Sequence, residues 1–110
     1  MIHWARVSEL REEVGAEDFE EVVEIFMEEV EEVIQKLRDL QDRQSLEQDL
    51  HFLKGSALNL GFDGFSQLCQ QGETQSAQGQ ADTVDVPAIL SGFEQSKSEF
   101  MSELNSRFQG

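Results

Sequence analysis

The residues with the clearest chemical potential lie in one run, His51-Phe52-Leu53-Lys54-Gly55-Ser56. The apolar spacing around this run predicts a helix over 46–60. At about 100° per residue, Leu46, Leu50, Leu53, Ala57 and Leu60 fall within an arc of about 80°, which is the core seam. His51 lies about 140° from the centre of that arc, so its imidazole is expected in solvent, midway along the helix. Lys54 and Gly55 follow one turn later, Glu47 stands one turn earlier, and Leu58 lies two turns on, nearly in line with His51.

A neutral imidazole with an ordinary pKa of ~6.5 is a competent nucleophile at neutral pH. Lys54 adds a mobile positive charge at a reach suited to a phosphoryl oxygen. Glycine inside a helix costs ~1 kcal/mol relative to alanine, and here it leaves the helix bare beside the ring. The Ser56 hydroxyl is able to bond back to the preceding turn. No Ser, Cys or acid on this helix forms a relay with His51, and the chain has no Gly-rich loop of the GxxxxGK[ST] type. A nucleophile, one cation, open access and no nucleotide site suit a phosphoryl acceptor served by another protein. The same residues also fit an ordinary solvated helix face, with Gly55 admitting a neighbouring helix.

Four or five helical segments must position this run. Trp4, Val7, Leu10 and Val14 predict a short helix over 4–14, stopped by Gly15. Asp18 with Glu21 reads as a capping box for a second helix running to about Leu40. Its inner face is Phe19, Val22, Val23, Phe26, Val30, Val33, Leu37 and Leu40, and its outer face is Glu20, Glu24, Glu28 and Glu32. Ser45 is a candidate N-cap for the helix that carries His51. Gly61-Phe62-Asp63-Gly64 is a tight corner. A fourth segment with Phe65, Leu68 and Cys69 weakens at Gly72. Residues 73–86, rich in Gln, Ser, Thr, Gly and Asp, are expected to form a long surface loop. Asp85 and Pro87 open the last helix, with Ile89, Leu90, Phe93, Phe100, Met101, Leu104 and Phe108 inward. The expected fold is all-α: an antiparallel up-down four-helix bundle with a short extra N-terminal helix, one domain over 1–110.

Composition narrows the partners. With 110 residues, 23 Asp plus Glu against 8 Lys plus Arg and a net charge of -15, the chain repels phosphate backbones and anionic lipid surfaces. Neither nucleic acid nor membrane is an expected partner. An apolar share of 38 %, with eight Phe and one Trp, is too high for a disordered acidic tail. The lone Cys69 makes no intrachain disulfide and no thiolate metal site. No signal peptide or membrane span is visible, so the cytoplasm is the expected compartment.

The string His51-x-x-Lys54-Gly55-Ser56-Ala57, closed by Leu60-Gly61, resembles the signature of histidine-containing phosphotransfer (HPt) domains. Looser similarity extends over nearly the whole chain. The resemblance implies phosphorylation of His51, with Lys54, Gly55 and Ser56 as the phosphoryl-stabilising group. It implies a relay between a sensor histidine kinase and the aspartate of a response-regulator receiver domain, in a phosphotransfer intermediate without kinase activity of its own. It also implies no intrinsic cofactor, the receiver bringing Mg²⁺; a monomer is the expected state, although the sequence itself does not encode it. Family members often set a polar residue of the following helix near the histidine. Gln70 and Glu73 are both available, although Gln70-Gln71-Gly72-Glu73 departs from the family's apolar pattern there. Glu47 either bonds the other ring nitrogen and biases its tautomer or stands as an ordinary solvated carboxylate, the reading favoured here. The docking face is expected around His51, from Gln44, Glu47, Gln48, Phe52, Leu58 and Phe62. Lys36, Arg38 and Arg43 offer charge to acidic partner loops or compensate the helix C-terminus. Two readings compete: a phosphorylation-independent helical adaptor using the same face, and a small helical enzyme with His51 as general base, which needs a deep cleft.

Overall fold

The computed structural model describes residues 2–39 and 43–107, with Asn105 described by its backbone alone. These residues form five α-helices: α1 (Trp4–Val14), α2 (Phe19–Arg38), α3 (Leu46–Leu60), α4 (Asp63–Ala77) and α5 (Val86–Arg107), with a 3₁₀ turn at Ala81–Thr83 between the last two. No strand occurs among the described residues. Nor is any described helix long and apolar enough to cross a membrane. The molecule is a helical bundle in which α3 packs chiefly on α4, α5 on α4 and α2, and α1 on α2 and α3.

The core explains why α3 presents His51 outward. Leu46, Leu50, Leu53, Ala57 and Leu60 are all buried, as their spacing predicts. They meet Val23, Met27, Val30, Ile34 and Leu37 of α2, Phe65 and Cys69 of α4, and Ile89, Phe93 and Phe100 of α5 in one apolar cluster. Met27 and Ile34 belong to the buried stripe of α2 and extend the expected face, whereas Val22, Phe26 and Val33 are only partly buried. Met101, expected inward, is exposed. Leu40 and Phe108 lie outside the described residues.

The ends of α3 are pinned from outside the helix. Gly61 follows it in the left-handed region at φ 80°. A side chain there would meet the His3 carbonyl oxygen at 2.8 Å. That contact exists because the N-terminal segment docks on this corner, the His3 amide donating to the Gly61 carbonyl at 2.6 Å. At the other end, Arg43 Nη1 donates to the carbonyls of Ala81 and Val84 at 2.6 and 2.9 Å, tying the approach to α3 to the α4–α5 connection. Lys36 pairs with Asp49, and Arg38 with Glu94. The three basic residues near this junction are therefore engaged within the protein.

Three local expectations differ. Asp18 precedes α2 but makes no side-chain cap. Ser45 also makes none; its hydroxyl donates to Asp49 at 3.3 Å. Asp85 does cap α5, accepting from the Ala88 amide at 3.1 Å. The largest correction concerns 73–86, which is not one long loop: α4 continues to Ala77, and a 3₁₀ turn follows. Gly72 is the reason. It is buried, and a Cβ there would meet Leu50 Cδ1 at 2.7 Å, Val84 Cγ1 at 3.2 Å and Ile89 Cδ1 at 3.3 Å. The glycine that reads as a helix break is a contact point where three apolar side chains close on the helix.

Candidate functional site

His51 stands on the second turn of α3 with 69 % of its side chain exposed. Its neighbour across the helix pair is Glu73 of α4. Glu73 Oε2 lies 2.8 Å from His51 Nδ1. The other carboxylate oxygen, Oε1, lies 2.7 Å from Lys54 Nζ. One carboxylate thus holds both the imidazole and the ammonium that the sequence pattern singled out. Glu73 occupies this place because α4 runs one turn beyond Gly72, with Gly72 and Cys69 turned to the core.

The Lys54 hydrogen bond holds the Glu73 carboxyl below the usual carboxylate range, with the His51 hydrogen bond and the charges of both neighbours acting in the same sense, partly offset by burial. Glu73 is therefore ionised at neutral pH and can only accept. Its acceptor role puts the ring proton of neutral His51 on Nδ1, which donates to Oε2, and leaves the lone pair on Nε2. Burial, reinforced by the Glu73 charge, pushes the Cys69 thiol up to about 12, so it is no thiolate at neutral pH.

Gly55 is exposed, and a Cβ added to it would meet nothing within 4 Å. The space beside the ring is open to a partner. Phe52 and Leu58, 39 % and 51 % exposed, give this surface apolar character. Gln44, Glu47 and Gln48 are exposed on the same helix or its approach, and on α4 Gln70 donates to the Thr74 hydroxyl at 3.0 Å. Among the described residues no group of three or more His, Cys, Asp or Glu could hold a metal ion.

Two expected site residues lie elsewhere. Phe62 is buried, 2 % exposed, in contact with the Phe100 ring at 5.2 Å, and so is no docking residue. It follows the left-handed Gly61, so helical spacing from His51 no longer applies to it. Ser56 is buried and turns inward, about 140° around the helix from His51, away from any phosphoryl group on that ring. Glu47 is not the ring's partner; Glu73 is. Between the two polar residues of the following helix left open on sequence, the ring's partner is Glu73 rather than Gln70. The signal that could have found Glu73 is the run Phe65, Leu68, Cys69, Gly72, which continues at helical spacing once glycine counts as a packing residue.

The structure thus sets an outward imidazole on an α3–α4 pair, with a lysine one turn on and a bare glycine beside it. The Hpt domain family model matches residues 21–103, and the chain belongs to that family of histidine phosphotransfer domains acting in two-component phosphorelays. It is similar to the phosphorelay protein LuxU of Vibrio vulnificus, in strains YJ016 and CMCP6, at 28 % identity over 107 residues covering 93 % of each chain. No solved structure matches.

Proposed function

We propose that His51 is the phosphoacceptor and that Nε2 is its reacting atom. The observation that carries this is the Glu73–His51 hydrogen bond, which engages Nδ1 and turns the free lone pair of an exposed ring toward open space. The Nε2 pair forms the N–P bond as the P–O bond to a receiver aspartate breaks, that pair leaving on the carboxylate; the reverse step passes the group on. Lys54 neutralises phosphoryl oxygens, and Gly55 clears the approach. Positioning and charge do the catalytic part, most of it supplied by the partner, whose receiver domain brings Mg²⁺. The bundle itself binds no cofactor and acts as an intermediate between a sensor kinase and a response regulator.

The docking face is Gln44, Glu47, Gln48, Phe52 and Leu58, a small apolar patch with a polar rim suited to transient contact. The scaffold is a single domain over 1–110, an antiparallel up-down bundle of α2 to α5 with α1 as an added cover, acting as a monomer. Support for the antiparallel reading comes from the ion pairs Arg38–Glu94 and Glu31–Lys97, in which position rises on one helix as it falls on the other.

The test incubates the protein with a panel of phosphorylated receiver domains and Mg²⁺ and follows acid-labile, base-stable phosphate. Label is expected on wild type and absent from His51→Gln. Label retained in His51→Gln would sink the assignment. Signalling output undiminished by that substitution would favour the adaptor instead.

A further inference from the structure

A phosphoryl group on His51 does not meet a free lysine. Lys54, one turn on from the ring, is already paired, and its partner is the same carboxylate that holds Nδ1. The side chains of Lys54 and Glu73 are only 21 % and 18 % exposed, so the pair is partly shielded from water. Resting charge at the site is balanced between one ammonium and one carboxylate. A phosphoryl group adds about two negative charges on the far side of the ring.

We propose that Glu73 is a positioning residue that keeps the His51 phosphoryl group transferable, by retaining the proton on Nδ1 and by competing with the phosphoryl oxygens for Lys54. The inference rests on the reading of His51 as phosphoacceptor. When the Nε2 pair bonds to phosphorus, the ring keeps its Nδ1 proton and becomes cationic, paired with ionised Glu73. When the N–P bond breaks, its electron pair returns to Nε2 and the ring departs as neutral imidazole, a far better leaving group than an imidazolide. Lys54, meanwhile, serves the phosphoryl oxygens only by sharing its charge and its N–H donors with Glu73. Both effects point the same way: the carboxylate raises the reactivity of the phosphorylated ring. An amide in its place has no charge to hold the proton on the ring and none to hold Lys54.

Phosphoramidate tests this without any protein partner. Nε2 displaces ammonia from phosphorus, and ³¹P NMR follows the phosphohistidine formed and its decay in water. Wild type, Glu73→Gln, Lys54→Gln and the double variant are compared, with His51→Gln as control and circular dichroism checking the fold. Phosphohistidine in Glu73→Gln is expected to outlive wild type by roughly tenfold, the scale of one charge-assisted hydrogen bond. Lys54→Gln is expected to hasten decay by a larger factor when Glu73 is already Gln, because Lys54 then serves the phosphoryl group alone. Equal or faster decay in Glu73→Gln, or the same Lys54 factor in both backgrounds, overturns the proposal while His51 stands as acceptor. Wild type that takes no label, or His51→Gln that takes as much, removes the acceptor assignment and this inference with it.

Discussion

At Gly55 helix stability and the proposed transfer pull in opposite directions. Within a helix it costs roughly 1 kcal/mol relative to alanine, and no atom lies within 4 Å of where a Cβ would stand. Gly55→Ala is therefore expected to stabilise the fold by up to about 1 kcal/mol in urea unfolding while slowing transfer from a phosphorylated receiver. A faster or unchanged transfer would show that the space beside the ring is not used. Glu73 makes a second residue-scale prediction. Its carboxyl is held below the usual range in the folded state, first by the Lys54 hydrogen bond. A lowered folded pKa gives stability that is present above the unfolded value and lost as pH falls through the folded one. Wild type should thus exceed Glu73→Gln in unfolding free energy at pH 7, and the gap should close as pH drops below the ordinary value of 4.5. A gap that stays constant down to pH 3 would mean the pair adds nothing to folding. His51 was legible because one helical wheel fixes it against five apolar positions. Glu73 was legible only as one of two candidates with Gln70, because its relation to His51 crosses two helices and no single-helix spacing encodes it.

At the scale of the element, α4 is the helix on which the site depends and the one the sequence half conceals. Its second half carries Gln70, Gln71, Glu73, Thr74 and Gln75, with little apolar signal. What holds it is the approach of Leu50, Val84 and Ile89 to the bare backbone at Gly72. A contact made possible by a missing side chain leaves no apolar residue in the pattern, so the segment reads as loop. By contrast, the α3 seam and the Asp85 cap of α5 were both legible, since each is written in side chains acting within their own element. The same dependence on tertiary contact makes α4 sensitive to bulk. Gly72→Val is expected to destabilise by about 1–3 kcal/mol through overpacking. It should also displace Glu73, moving the His51 ring resonances in NMR. Ring resonances unmoved despite lost stability would show that Glu73 is held by its ion pair alone. The link after α4 is held from a different direction, by Arg43 on the carbonyls of Ala81 and Val84. Removing that guanidinium in Arg43→Ala should cost about 1–2 kcal/mol, the scale of two such bonds less what water restores. Hydrogen exchange should rise over 81–86 and remain low in α3. Uniform loss of protection would instead indicate that Arg43 supports the whole bundle.

For the whole molecule, the dominant fact is a net charge of -15 on 110 residues. The load is uneven. On α2, Glu20, Glu24, Glu28 and Glu32 repeat every four residues along an exposed face, with Glu21 and Glu29 beside them. Near His51 the surface is less acidic, with Gln44, Gln48, Phe52 and Leu58 exposed beside the one carboxylate of Glu47, and the Glu73 carboxylate is balanced by Lys54. The acidic helix thus repels other polyanions while concentrating that repulsion away from the proposed docking face. Its cost falls on stability, since like charges four apart oppose one another by a few tenths of a kcal/mol per pair. Against it stand exposed ion pairs such as Lys36–Asp49 and Arg38–Glu94, each worth about 0–1 kcal/mol. Salt weakens both, so the sign of its effect shows which is larger. Acids outnumber cations 23 to 8, and repulsion should therefore win. Raising sodium chloride from ~0.02 M to ~0.5 M shortens the screening length severalfold, and the melting temperature is expected to rise by several degrees. Chloride is the anion to use, because sulfate strengthens apolar burial on its own account. Glu28→Lys, which breaks the ladder at its middle, should stabilise at low salt and lose that advantage at high salt. A melting temperature that falls with chloride would mean the surface ion pairs outweigh the acidic face.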